Sequence, residues 1–282
     1  NTLKNLIMNG SENISPKGWQ KLFLTLLRSN LDLLQFDMHD NQIDDIGLNL
    51  LVPLVSKMSS LKYLSLSLNV LVTSYRGWQY LTFCVNHPDF ALEELDLSNN
   101  NIDDDTLIAF ANALRNNKTL KLLSIEGFTN EDSSDDEDDI EDDNELITER
   151  GWGAISNLIC NKTRIKDTFN SNHTLRDLSY SHYYCKREST FLPDDLSSLL
   201  ELNENKDKTE VARQKILQTH FSTNDNTLDL QVFTDLEPEE IPAAIAWIGR
   251  PAEPANWLGE HDSGLTLMYL LMRRIPDMFG AT

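Results

Sequence analysis

The sequence predicts an α/β solenoid with parallel strands on a concave face, helices on the convex face and an α-helical cap region at its C-terminal end. Three observations predict it. A leucine pattern recurs at a near-constant period, an asparagine follows it at a fixed offset, and a helical apolar pattern fills the rest of each period.

The units run in order from the N-terminus. Their first leucines fall at 3, 33, 61, 92, 120 and 175, so the steps are 30, 28, 31, 28 and 55 residues. The unit ALEELDLSNNNIDDDTLIAFANALRNN, 91–117, shows the pattern most fully. Leu92, Leu95 and Leu97 have the spacing LxxLxL, and Asn100 and Ile102 follow at the corner. Leu95 and Leu97 alternate with Glu94, Asp96 and Ser98, which is the period of a half-buried strand. Leu107, Phe110, Ala111 and Leu114 then recur at helical spacing. Leu61, Leu64, Leu66, Asn69 and Leu71 repeat the template, as do Leu33, Phe36, Met38, Asn41 and Ile43, and weaker copies begin at Leu3, Leu120 and Leu175. Strands are therefore expected at about 5–8, 35–38, 63–66, 94–97, 122–125 and 177–180. A glycine marks several helix starts (Gly18, Gly47, Gly77), and Gly-Trp pairs stand at 18–19, 77–78 and 151–152, with each Trp expected to pack in the helical layer.

A period near 28 with a helix in each unit resembles the ribonuclease-inhibitor type of leucine-rich repeat. One strand–helix unit cannot bury its own apolar edge, so units stack and share a continuous core. The solenoid is assigned to 1–192 and a C-terminal helical region to 193–282.

The long step between Leu120 and Leu175 is largely explained by NEDSSDDEDDIEDDNE, 130–145, in which eleven of sixteen residues are carboxylates. Such a stretch cannot bury enough apolar surface to offset its ordering entropy, so an acidic disordered insertion is expected. Its field would steer a basic partner and be weakened by salt. Ser133 and Ser134 each have an acidic residue three places on, the pattern an acidophilic kinase favours, and are candidate phosphorylation sites. The chain carries 24 basic against 45 acidic residues, a net charge of −21. Nucleic-acid binding is not expected, because no basic stripe is present to meet phosphates. Uncharged runs are far shorter than a membrane helix needs, so no transmembrane span is expected.

Strand positions that alternate with the core leucines define the expected protein-binding face: Gln35, Asp37 and His39; Tyr63, Ser65 and Ser67; Glu94, Asp96 and Ser98; Ser124 and Glu126. The face is polar and mildly acidic, with Tyr63 as the residue type that anchors interfaces. Asp37, His39 and Ser65 offer an acid, a base and a hydroxyl, but an open sheet face excludes no water and builds no oxyanion hole. His173, His182 and Cys185 fit no compact metal-finger spacing. No phosphate-cradling glycine loop, HExxH or GxSxG is found, so no catalysis, cofactor or metal is expected.

Beyond about 192 the composition turns helical. LPDDLSSLLELNEN starts at a cap, Asp194 or Asp195, and KTEVARQKILQTHF offers Val211, Ile216 and Leu217 to one face. Met268, Leu271, Met272 and Met278 beside Trp247 are expected to pack in the cap, with a Met-rich partner groove as the alternative. The strings RGWGAISNLICNKT, NSNHTLRDLSYSHYY, VARQKILQTHF and AIAWIGR…LMYLLMRRIPDMF, over most of 145–282, also resemble those of a large group of diatom leucine-rich-repeat proteins. That resemblance implies a multiplied interaction module and no activity.

The leading expectation is a non-catalytic protein–protein interaction scaffold, expected to be a monomer, whose partner is another protein, a basic one if the acidic insertion takes part. Two other classes stay open. The repeat type with an acidic segment loosely resembles the GTPase-activating protein of the Ran cycle. It also resembles nuclear leucine-rich-repeat chaperones of histones, whose acidic tail is terminal. Three cysteines, Cys84, Cys160 and Cys185, form no even framework, which favours a reducing cytoplasmic or nuclear setting. Four Asn-x-Ser/Thr tripeptides, at Asn13, Asn117, Asn161 and Asn172, point the other way, although asparagine at 117 suits a helix end for conformational reasons alone. The chain opens on Asn1 rather than Met, as expected of a fragment or processed form, which leaves open a lost signal peptide.

Overall fold

A computed structural model describes residues 3–11, 14–29, 31–69, 75–87, 90–100, 102–125, 147–179 and 194–221. The insertion at 130–145, with Ser133 and Ser134, lies outside the described residues, as do Glu126, His182, Cys185 and everything beyond 221. The chain divides into two compact units, Asn1–Ile159 with Asn172–Glu204, and Cys160–Ser171 with Asn205–Thr282.

The first unit is an α/β repeat-like fold. Its strands are β1 (Asn5–Ile7), β2 (Gln35–Asp37), β3 (Tyr63–Ser65), β4 (Glu94–Asp96), β5 (Leu122–Ser124) and β6 (Asp177–Ser179). They form one all-parallel sheet in the order of the chain. Helices α1 (Pro16–Arg28), α2 (Asp45–Ser56), α3 (Tyr75–Val85), α4 (Asp104–Leu114) and α5 (Glu149–Ile159) each follow a strand, and consecutive helices pack on one another. β5 and β6 are direct neighbours in the sheet although their first leucines are 55 residues apart. Helix α6 (Ile165–Phe169) belongs to the second unit, and α7 (Asp194–Leu202) packs on α5 in the first.

The core is the leucine pattern read inward. Leu33, Phe36, Met38, Leu64, Leu66, Leu92, Leu95, Leu97, Leu120, Leu123 and Leu175 are all buried, and Trp19, Trp78 and Trp152 are buried in the helical layer. Among the described residues β1 has one strand neighbour, β2, and Leu6 and Met8 are half-buried while Leu3 is half exposed.

The corner after each strand is held by a buried asparagine. Asn100 Nδ2 donates to its own turn, at Leu97 O (2.9 Å) and Ser98 O (3.2 Å), and to the preceding unit at Leu66 O (2.8 Å). Asn69 does the same with Leu66 O, Ser67 O and Met38 O, and Asn41 with Met38 O, His39 O and Met8 O. Each carboxamide therefore satisfies carbonyls that a sharp, buried corner would otherwise leave unpaired. The residue before each asparagine is left-handed: Asp40 has φ 55°, Leu68 55° and Asn99 59°. Leucine pays most for this conformation, because its β-carbon crowds the next carbonyl.

A second set of asparagines holds the opposite corner, between helix and strand. Asn117 Oδ1 accepts from Thr119 N (2.9 Å) and Leu120 N (2.8 Å), while its Nδ2 donates to Val85 O of the preceding unit (2.8 Å). Asn172 repeats this with Thr174 N, Leu175 N and Leu114 O, and Asn203, at the end of α7 rather than before a strand, donates to Leu175 O. Two of the glycosylation-type tripeptides are thus turn motifs with buried amides.

Neighbouring helices are also linked at their N-termini. Asp104, the first residue of α4, accepts from Thr148 N (2.8 Å), Thr148 Oγ1 (2.6 Å) and Gly151 N (3.0 Å), capping α5 from the preceding unit. Partial desolvation raises its carboxyl, and these hydrogen bonds outweigh that and lower it. A β-carbon on Gly151 would sit 2.5 Å from Asp104 Oδ1, and one on Gly77 would collide with Asp45 Oδ1. Close approach of a carboxylate is what requires glycine at these two helix starts.

In the second unit, α8 (Lys208–Ile216) runs into a π-helical turn, Leu217–Phe221. Val211, Ala212, Arg213, Lys215 and Ile216 are all buried, so α8 is covered around more of its circumference than one apolar stripe would predict. Arg213 pairs with Glu210 at 3.0 Å. Burial pulls the Lys215 ammonium down to about 7.

Two predictions follow from strain and burial. Leu68→Asn keeps the left-handed corner at lower cost and raises stability by about 0.5–1 kcal/mol, measured as a shift of the urea midpoint at constant m-value; a lower midpoint would refute the assigned strain. Lys215 is depressed in the folded state, so the unfolded chain binds more protons between about 7 and the ordinary lysine range. Stability therefore rises with pH across that window, and Lys215→Met flattens the rise in a pH series of melts.

Candidate functional site

The register places outward-facing side chains in rows across the sheet. One row runs Asn5, Gln35, Tyr63, Glu94, Leu122 and Asp177, and the next runs Ile7, Asp37, Ser65, Asp96, Ser124 and Ser179. His39, Ser67 and Ser98 follow one position beyond the strand ends. Gln35, Asp37, His39, Tyr63, Asp96, Ser98 and Ser124 are partly exposed and Glu94 is exposed, as a solvated face requires.

Ser65 and Ser67 differ from that expectation. They are 1% and 9% exposed. A serine between longer side chains on both adjoining strands lies at the floor of the face, and Ser65 stands in register between Asp37 and Asp96. Ser65 Oγ donates to Asp96 Oδ2 at 3.1 Å and lies 3.1 Å from Ser67 Oγ. Asp96 Oδ1 accepts from Ser98 N at 3.0 Å, so both of its oxygens are fixed by neighbours.

Asp37 is held in a similar way. Its Oδ1 accepts from His39 N at 3.1 Å and lies 3.0 Å from His39 Nδ1. The structure thus brings Asp37 and His39 together, while the Ser65 hydroxyl is committed to Asp96 and Ser67 rather than to the imidazole. A nucleophilic serine would need the reverse arrangement, with its hydroxyl on the base. Tyr63 is half-buried; burial pushes its phenol up, Ser65 opposes this through a hydrogen bond, and the carboxylates of Asp96, Asp37 and Glu94 add to the rise. Asp37 lies on the strand to one side of Tyr63, and Asp96 and Glu94 lie on the strand to the other.

Charge is sorted by strand position. Glu93 stands immediately before β4 and pairs with Lys62 at 3.0 Å and with Lys121 on the other side. Hydrogen bonds from Lys121 and Lys62 hold the Glu93 carboxyl below its ordinary range. The sequence carried this as Lys, Glu and Lys at the same offset in three units, a signal legible once the units are aligned. Among the described residues, no lysine or arginine occupies an outward strand position of β1 to β6.

No group of His, Cys, Asp or Glu side chains among the described residues could hold a metal ion, and no described helix is long and apolar enough to cross a membrane. Cys84 and Cys160 are free and buried. On the helical side, Ile108, Ala111, Arg115, Arg150, Gly153 and Ala154 line a groove of about 380 Å³ between α4 and α5.

No protein-family model matches the chain, and no curated protein matches it. Among solved structures, actin-binding site 2 (ABS2) of leiomodin-1 is similar, at 15% identity and a TM-score of 0.36, covering 76% of this chain and 86% of that one.

The burial of Ser65 is open to a direct check. Ser65→Ala leaves Asp96 Oδ2 without its donor and lowers stability by about 1 kcal/mol, whereas an exposed serine would give no change. Thermal and urea melts decide between them.

Proposed function

We propose that the chain is a non-catalytic protein-interaction scaffold, a leucine-rich-repeat solenoid of the ribonuclease-inhibitor type that holds another protein on its outward strand face. The observation that supports this reading most is the register. Six consecutive parallel strands bring Asp37, Tyr63, Glu94, Asp96 and Ser124, far apart in sequence, onto one continuous polar face. Asp37 and Asp96 on it are anchored by their own neighbours, which lowers the ordering cost of binding. The acidic insertion adds a long-range field, which acts on encounter more than on residence.

The test is affinity on a partner recovered with the immobilised chain across a salt series. Tyr63→Ala and Asp96→Ala each cost about 1–3 kcal/mol of partner affinity by calorimetric titration and leave partner recovery by the insertion intact. A recovered partner whose affinity ignores both substitutions would move recognition away from this face.

A further inference from the structure

The centre of the outward face combines one aromatic ring with carboxylates on both sides of it. Asp37, Ser65 and Asp96 stand in register on three successive strands, so Asp37 and Asp96 are about 10 Å apart at the backbone, two strand spacings. Ser65 between them is short and buried, and forms a floor. Tyr63 and Glu94 occupy the adjoining row. Neither aspartate is a loose side chain. Asp96 is fixed by Ser65 Oγ and Ser98 N, and Asp37 by His39 N and the His39 ring.

The local charge is unbalanced. Asp37 stands on the strand to one side of Tyr63 and Asp96 and Glu94 on the strand to the other, whereas the neighbouring lysines, Lys62 and Lys121, are drawn to Glu93 at the row before the strands. Among the described residues no cationic side chain of Lys or Arg stands at an outward strand position. Preset carboxylates beside an aromatic face suit a planar cation. A guanidinium can lie on the ring and fork its N–H groups to an oxygen on either side, which a point-like ammonium does less well.

We propose that Tyr63, Asp37 and Asp96 form the seat of an arginine side chain from the partner protein. This rests on the reading of the strand face as the recognition surface and adds the chemistry of what it recognises. Tyr63 supplies the stacking plane, Asp37 and Asp96 the two acceptors, and Ser65 the donor that keeps Asp96 turned toward the seat. Glu94 strengthens the local field without a fixed geometry.

The test uses the full chain and a fluorescein-labelled peptide of alternating glycine and arginine, with matched peptides in which arginine is replaced by lysine or by neutral citrulline. Polarisation titrations are run at about 0.3 M salt, where exposed charges are screened within less than 10 Å and the insertion gives a weak background common to all variants. Tyr63→Leu and Asp96→Asn each weaken the arginine peptide about five- to tenfold, Tyr63→Phe changes it less than about twofold, and citrulline loses about tenfold or more. Melting curves confirm that each variant is folded. Arginine binding unchanged by Tyr63→Leu and Asp96→Asn overturns the seat. If Tyr63→Leu weakens the arginine and citrulline peptides alike, the face binds extended peptide without a cation seat, so the arginine proposal falls and the recognition face stands. Lysine and arginine peptides of equal affinity overturn the forked geometry.

Discussion

Everything in the first unit depends on satisfying backbone groups at corners that are both sharp and dry. A chain that turns from strand to helix and back within about 28 residues has no room for long solvated loops, and each corner buries carbonyls that water cannot reach. Asn41, Asn69 and Asn100 solve this after the strands, Asn117 and Asn172 solve it before them, and Asn203 reaches back in the same way after α7. The same amide that closes one corner also reaches the preceding unit, so local closure and stacking are one interaction. The leucine core supplies most of the apolar burial, but leucine alone would not say in which register the units stack. The bifunctional carboxamide does.

The parts of the fold legible in the sequence were those with a strong period. Leu95, Leu97 and Asn100, and their counterparts at 64, 66 and 69, are recognisable because the structure asks the same thing of the same offset each time. Gly18, Gly47 and Gly77 were legible as helix starts, but the reason for Gly77 and Gly151 was not, since the carboxylates that exclude a β-carbon come from the helix of the unit before. Lys215 escaped although its i+4 offset from Val211 places it on the buried face, because a lysine is ordinarily read as solvent-facing and only tertiary packing around α8 covers it. Leu68 escaped for a related reason: its left-handed backbone is imposed by the corner rather than chosen by the residue.

The candidate site divides in the same way. Alternation told which residues turn outward, and Gln35, Asp37, Tyr63, Glu94, Asp96 and Ser124 do so. Alternation has no height, however, and could not show that Ser65 lies under its longer neighbours while Glu94 stands clear of them. Nor could it show that Ser65 faces Asp96 rather than His39, which separates a positioned carboxylate from a hydrolytic arrangement. Both facts depend on cross-strand register, which a single repeat cannot encode.

The clasp between Asp104 and the start of α5 has a consequence for the stretch of chain that it spans. Thr148 and Gly151 are held to α4, and Ser124 is held in the sheet, so both ends of the segment between them are anchored independently of its content. Closing a loop between two fixed points costs free energy that grows only with the logarithm of its length. A change in the length of the chain joining these two anchors thus alters the closure cost only weakly. The sheet and the helix stack are therefore set by the anchors on either side, and the charge between them is set by sequence alone.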